Sequence, residues 1–572
     1  MASLTKKIIN GHPYYYFREC RRVKGKPKIV KQHYLGRAED IFTTMTAAPG
    51  ASAPPPKPRH ALVADFGAVA ALYDLSRRLE LAETIDRHVP KRGSGPSVGT
   101  YLLAAVLNRC VAPCSKASLA DWYNQTLLPR FLPVQARQLT SQRFWDNMDR
   151  VSSQAIRDIE TELVQRLVAT FNVDLGRVLF DATNFFTFID TFNERSTLAQ
   201  RGHSKEGRDS LRIVGLALLV TADFHLPLLH RTYPGNQADA PTFASLIDDL
   251  TVRYRQLVQG AEHVTLVFDK GNNSGDNLEA IAQGPYHFIG SLVATHHCEL
   301  LSVPARAFRS LAGDGLAGVS AYRTRKTVFG AERTVLVTYN ENLFAAQRKT
   351  LLREIAKRQQ RLRALQRPLQ KRHTGTIHAG KRPTVAGTRK KVDELLRTRH
   401  MKDLFQAGVT EKNGLPLLTY RFNQKAWRNL QRTELGKTLL FTDNDDWSDA
   451  EIVTGYRSQH HIETAFRCMK DTAHISLRPQ HHWTDQKVEV HVFCCVLALL
   501  LCSLLQRELH RKGIDRSISD SLEMLGQICE VAVIYAPEGK KRRPTIQITL
   551  SEMNADQQTL FDALELSRYT TA

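Results

Sequence analysis

Apolar residues recur along this chain at two different periods. Between about residues 61 and 175 the spacing is helical: Leu72, Leu75 and Leu79 fall at i, i+3 and i+7, and Leu102 to Val106 lies in another such segment. Ser118 and Thr140, each just before an apolar-periodic stretch, predict helix starts with hydroxyl caps. From residue 177 the pattern changes to short apolar runs: Val178–Phe180, Ile213–Val220, Leu226–His230, Val264–Phe268 and Phe288–Val293. Runs of this length between turn signals predict a mixed sheet with buried central strands. The stretch 239–257 fits the crossover helix that a parallel neighbour requires. The most apolar segment, Val490–Leu505, has 16 residues and contains His491. It is shorter than the roughly 20 residues needed to cross a bilayer, so it predicts a core helix and no membrane partner.

Near the N-terminus, Tyr14–Phe17 and Ile29–Tyr34 are β-prone runs flanking a turn at Lys24-Gly25-Lys26-Pro27. Five prolines among alanines in Thr43–Arg59 describe a flexible linker. Toward the middle, Arg333–Tyr339, Leu415–Phe422 and Lys437–Thr442 read as β pieces bracketing a basic segment. Within that segment Leu351–Leu369 fits a long helix and Thr374–Gly387 a loop. The resulting division is a β unit at 1–42, a linker at 43–60 and a helical region at 61–175. An α/β core at 176–294 and 446–515 follows, interrupted by a β-rich basic segment at 295–445, and a C-terminal segment at 516–572 completes the chain.

Charge narrows the function. Lys and Arg number 79 against 57 Asp and Glu, a net charge of +22. Such an excess favours a polyanionic partner, because phosphate contacts release condensed counterions. From Arg348 to Lys402 there are 18 basic residues against Glu354, Asp393 and Glu394. Arg358, Arg361, Arg363 and Lys371 are therefore expected to touch a DNA backbone. The helical region could bind DNA through Arg143 or Arg150, or serve packing and dimerisation; composition leaves both open. Nine cysteines, an odd number without a framework spacing, fit a reducing cytoplasm, and the polar Met1–Gly11 stretch does not read as a leader. Cys110 and Cys114 have no second pair at zinc spacing. There is no phosphate-binding loop and no serine elbow. The adjacent pairs His296-His297, His460-His461 and His481-His482 are read as solvated or phosphate-facing.

Three carboxylates stand out. Asp181 and Asp269 each follow a short apolar run, as a strand end would present them. Glu463 lies in Tyr456–Lys470, where positions 456, 463, 467 and 470 share one face of a helix and Ile462, Ala465, Phe466 and Met469 form an apolar stripe beside it. Carboxylates on neighbouring elements can fix a hard cation.

These residues resemble the DDE transposases of bacterial insertion sequences, in particular the IS-four-like group with a Tyr-Arg-Glu-Lys signature. In Y-x₂-R-x₃-E-x₆-K, Tyr456, Glu463 and Lys470 fall at the right spacing, and Gln459 stands where the signature has Arg. Arg457 and Arg467 are the nearby cations. Arg201–Arg208, Tyr233-Pro-Gly-Asn236 and Leu477–Trp483 resemble further blocks of that group. The resemblance implies an α/β fold, a ribonuclease H-like mixed-sheet core interrupted by a β-rich insertion and preceded by a helical domain. It implies cleavage of transposon ends and strand transfer, with two Mg²⁺ ions (Mn²⁺ able to substitute) held by Asp181, Asp269 and Glu463. Tyr456, Arg457, Arg467 and Lys470 would contact DNA, and a homodimer would act on paired ends. Trp427 or Trp447 would hold a flipped base. A transposase relic retained as a DNA-binding protein, or a plain nuclease, are the other readings.

Overall fold

A computed structural model describes residues 2–9, 12–23, 26–38, 41, 58–91, 93, 95–237, 245, 249, 264–478, 480, 482–535 and 545–571. The Lys24-Gly25 turn, residues 43–57 of the proline-rich stretch and, apart from Ser245 and Asp249, the crossover segment 239–257 lie outside them. The chain forms two compact units, Met1–Glu262 with Ser458–Ala572, and His263–Arg457.

The first unit is built around the apolar helix Asp485–Arg511, which packs on Gly67–Arg78, Val98–Val111, Ser153–Phe171 and the strand Pro227–Pro234. It is long and apolar enough to cross a membrane, but 94% of its most apolar window is buried inside the fold, as a core helix requires. Thr140 caps its helix by accepting from the Arg143 N–H. Ser118 does not cap; its hydroxyl instead meets that of Ser115 at 3.1 Å. The strands Arg177–Thr187, Arg212–Thr221 and Pro227–Pro234 pair antiparallel in sequence order. Every residue of Ile213–Thr221 is buried, which explains its unbroken apolar run.

Two smaller sheets complete this unit. Ala2–Ile9, His12–Val23 and Lys26–Gly36 form an antiparallel meander. Cys529–Tyr535 pairs with both Ile546–Leu550 and Pro58–Asp65, so the C-terminal segment closes onto the beginning of the helical region. All cysteines among the described side chains are free.

In the second unit, Val264–Phe268 and Tyr286–Ser291 are parallel neighbours, and the helix Gly275–Ala282 lies between them in sequence. Lys437–Thr442 pairs antiparallel with Tyr286–Ser291 on one side and with Ala331–Asn340 on the other. Val319–Val328 and the short Arg309–Ser310 extend the sheet outward. The fold is thus mixed α/β, with parallel and antiparallel pairings. The segment 295–445 differs from the β-rich expectation, since its largest element is the 33-residue helix Glu341–His373. That helix, Val385–Leu395, Gln424–Thr433 and the hairpin Phe405–Lys412/Leu415–Phe422 share their own core, centred on Leu362, Met401, Leu404 and Leu418.

Candidate active site

Asp181 does not end its strand. It is the fifth residue of Arg177–Thr187, paired across to Leu218, and the strand continues through six further residues. A lone acid after Val-Leu-Phe reads as a terminus, yet Ala182-Thr-Asn-Phe-Phe-Thr187 is itself a good strand sequence. Asp181 is half-buried, between the buried Phe180 and Ala182, and its carboxylate accepts from the Ala182 N–H at 2.8 Å. A side chain fixed mid-strand has less freedom than one at an edge.

The helix His460–Lys470 packs on this strand. Its buried face is Ile462, Ala465, Phe466 and Met469, as the apolar stripe predicts, while Glu463 and Arg467 are exposed. Lys470, two turns beyond Glu463 on the same face, donates to the Thr183 hydroxyl at 2.8 Å. Thr183 is two residues from Asp181, on the same side of the strand. Glu206 stands 4.0 Å from the Lys470 ammonium and 3.3 Å from the Arg478 guanidinium. Arg478 also donates to the Lys470 carbonyl and lies over the Phe186 ring at 4.7 Å. Asn184 accepts from the Lys205 N–H, and the Lys205 ammonium donates to the Ala182 carbonyl. Burial pushes the Lys470 ammonium pKa down; Glu206 opposes this, Lys205 and Arg478 reinforce it, and Asp181 opposes it. The first unit therefore sets a carboxylate and a partly desolvated cation side by side.

The expected single helix through Tyr456–Lys470 is two helices, Asp449–Arg457 and His460–Lys470, separated by a turn at Ser458-Gln459. Gly455 and Ser458 are weak helix formers, and the second helix opens with tight bonds from His461 N–H to Ser458 O and Ile462 N–H to Gln459 O. Tyr456 consequently belongs to the second unit. There it shares a cleft of about 960 Å³ with Asp269, which directly follows Val264–Phe268 at the strand end the sequence predicts. The Ser291 hydroxyl donates to Asp269 at 3.3 Å. The same cleft is lined by Glu354, His400 and Glu434, none of which sequence spacing brings near Asp269.

Among the described residues no three His, Cys, Asp or Glu side chains gather closely enough to hold a metal ion. Asp181 and Glu463 stand in the first unit and Asp269 in the second. As a donor set the three are all hard carboxylate oxygens, the type that Mg²⁺ prefers, and they carry no competing soft ligand.

A family model described as the transposase DDE domain matches residues 177–501, more than half of the chain and all three carboxylates. The chain belongs to the transposase DDE domain family. No curated protein matches it. Among solved structures it is similar to a cryo-EM structure of the piggyBac transposase synaptic complex with hairpin DNA. The identity is 9% and the TM-score 0.31, over 80% of this chain and 78% of that one, and a superposition this loose bears no inference.

The DDE domain's basic residues divide by their partners. Arg361, Arg363 and Lys371 are exposed on the Glu341–His373 helix. Arg358 is not available in the same way. Its guanidinium pairs with Glu354 at 3.1 Å and donates to Thr398 at 2.6 Å, so it braces the helix rather than facing solvent. Arg457 donates to the Gly315 carbonyl at 2.7 Å, and Arg467 to the Thr464 hydroxyl at 2.9 Å. Trp427 is buried in the core of the 341–435 region, where it cannot receive a base, and Trp447 is half-buried. His296 and His460 are exposed as expected, whereas two other members of the histidine pairs are not. His461 is half-buried with its ring beside His460, and His482 is buried. Glu206, Lys205 and Arg478 around Lys470 escaped sequence reasoning as site residues, although the Arg201–Arg208 and Leu477–Trp483 blocks contain them.

Proposed function

We propose that this chain is a DNA transposase of the IS-four-like group, which cleaves DNA at transposon ends and joins those ends to new DNA. Membership of the transposase DDE domain family supports the reading, and the observation that carries it is Lys470 bonded to Thr183 beside Asp181. Residues almost 290 positions apart in sequence so combine an acid with a cation able to pair with a phosphate.

In this reading Asp181, Asp269 and Glu463 would hold divalent magnesium, in a ribonuclease H-like arrangement of the α/β core. When bound, the metal would neutralise developing charge at phosphorus and promote deprotonation of the attacking oxygen. Water first displaces the 3′ oxygen from a phosphodiester, leaving a 3′-hydroxyl and a 5′-phosphate. That 3′-hydroxyl then displaces a 3′ oxygen of the target strand. The chain's own part is positioning: the Lys470 ammonium, poorly solvated where it is, would gain from an arriving phosphate, and Tyr456 would contact phosphate of the transposon end. Arg361, Arg363 and Lys371 track the duplex backbone, and Arg457 and Arg467 stand near the signature. Pairing of two DNA ends by two copies of the chain, in a bacterial cytoplasm, completes the proposal.

Glu463→Gln tests it. Nicking of DNA carrying the inverted repeats that flank the gene should be lost, while the variant shifts that DNA in a gel as wild type does. A variant that nicks at the wild-type rate removes Glu463 from the chemistry. A wild-type protein that binds but never nicks in Mg²⁺ or Mn²⁺ makes the chain a DNA-binding relic.

A further inference from the structure

The N-terminal meander has a chemistry that the cleavage reading does not use. Residues 1–37 contain ten Lys and Arg and a single acid, Glu19. Strand register sorts the side chains. Lys7 lies opposite Tyr14, Thr5 opposite Tyr16 and Ser3 opposite Arg18. Tyr16 in turn faces Tyr34, and Arg18 faces Gln32. Residues directly opposite each other in an antiparallel pair share a face. One face thus carries Tyr14, Tyr16, Tyr34, Arg18 and Lys7. Tyr34 is 58% exposed; its ring lies 5.3 Å from that of Tyr16 and 6.1 Å from that of Tyr14. Arg37 lies over the Tyr14 ring at 5.5 Å and donates to its hydroxyl at 3.2 Å. The Arg18 guanidinium is held by Gln32 at 2.8 Å.

The opposite face carries Leu4, Ile8 and Phe17, which are exposed, and one buried ring, Tyr15. Tyr15 is 4% exposed, and its hydroxyl is pushed up by burial and by Cys529. Lys6, the register partner of Tyr15, offsets part of the burial that raises Asp65. Cys529 and Asp65 belong to the Pro58–Asp65/Cys529–Tyr535 sheet. Tyr14, Tyr16 and Tyr34 lie on the other side of the strands from Tyr15.

Clustered rings on a sheet, flanked by cations, suit unpaired bases: each base has a π-face to stack and each nucleotide a phosphate to neutralise. Duplex DNA hides those π-faces and would use the cations alone. We infer that the Tyr14/Tyr16/Tyr34 face of the N-terminal sheet binds single-stranded DNA by stacking. The inference does not depend on the three carboxylates, and its test is run without divalent metal.

Anisotropy of a labelled oligo(dT), and of a blunt duplex of the same length, is measured with the full-length protein in EDTA. Tyr34→Ala should weaken single-strand binding about tenfold and alter duplex binding less than twofold. Tyr34→Phe, which keeps the ring, should match wild type on both. A Tyr34→Ala protein with unchanged single-strand affinity overturns the inference. So does an equal loss on duplex, which would make the sheet a general DNA-binding element, or a Tyr34→Phe variant as weak as Tyr34→Ala, which would assign the contact to the hydroxyl.

Discussion

His225 is 2% exposed and neither of its ring nitrogens has a hydrogen-bond partner. Its ring stacks with His461, and His461 lies against His460 at the start of the Glu463 helix. Burial, reinforced by His461, His460 and Arg467, pushes the His225 pKa down from 6.5 to about 3; burial and His460 push His461 down to about 4. In the unfolded chain both would titrate near the ordinary value, so the unfolded state binds more protons throughout that window. The stability these two rings permit is complete above 6.5 and drains as pH falls from there toward their folded values. Wild type should thus melt several degrees lower at about pH 5 than at about pH 7.5, and His225→Phe, which keeps the stacked ring, should narrow that difference. Equal pH sensitivity in the two proteins would show that His225 stays uncharged in both states or accepts its proton without strain. Lys470 makes a second test at this scale. Lys470→Met removes the cation while its stem still fills the site, so cleavage should fall at least tenfold, with duplex affinity changed less than threefold. An equal fall in affinity would move Lys470 from orienting the phosphate to merely retaining the DNA.

The 33-residue helix Glu341–His373 separates two kinds of arginine that composition treats alike. Arg361, Arg363 and Lys371 are exposed, whereas Arg358 ties the helix to Thr398. Neutralising the first three together should reduce the slope of log affinity against log salt by about two to three. Arg358→Gln should leave that slope unchanged and lower the melting temperature instead; a slope change from Arg358→Gln would return it to the DNA interface. The limits of local pattern show in the same elements. Ile213–Thr221 is legible because every residue is buried, and the Asp485–Arg511 helix because its apolar run is too long for a strand, although only its burial in the fold separates it from a membrane span. Asp181 misleads because one acid inside a strand resembles a terminus. The break at Ser458-Gln459 is hidden because Tyr456, Glu463 and Lys470 keep a helical period across it, and only backbone bonds reveal the turn. The surroundings of Asp269 were beyond reach for another reason: Glu354, His400 and Glu434 come to it from 85 or more positions away. No local period encodes such a meeting.

At the scale of the whole molecule, the C-terminal segment has a structural duty that its sequence does not announce. Cys529–Tyr535 is the central strand of a sheet whose other members are Ile546–Leu550 and Pro58–Asp65, so the first strand of the helical region depends on residues more than 460 positions later. The joint continues past the sheet. The N–H groups of Phe66 and Gly67 both donate to the Ile528 carbonyl, which supplies an acceptor at the start of the helix Gly67–Arg78. A Cβ on Gly67 would lie 2.3 Å from the Leu525 carbonyl, so only glycine allows the approach. Farther on, the Tyr569 hydroxyl donates to Asp74 at 2.7 Å, and Arg568 pairs with the same carboxylate at 2.9 Å. Removing residues 516–572 would leave the Pro58–Asp65 edge unpaired, Asp74 without either partner, and the faces covering Leu522, Leu525 and Leu560 open to water. A chain ending at Asp515 should therefore be insoluble or lack a cooperative melt, although the family match ends at residue 501. Gly67→Ala tests the same joint more gently and should cost about 2–4 kcal/mol, because the clash is with backbone that cannot rotate away. If the truncated chain melts cooperatively near the full-length temperature, the helical region folds on its own and the closing strand is only an attachment. If Gly67→Ala alone proves neutral, the 2.3 Å approach relaxes without loss and the sheet pairing by itself holds the two ends of the chain together.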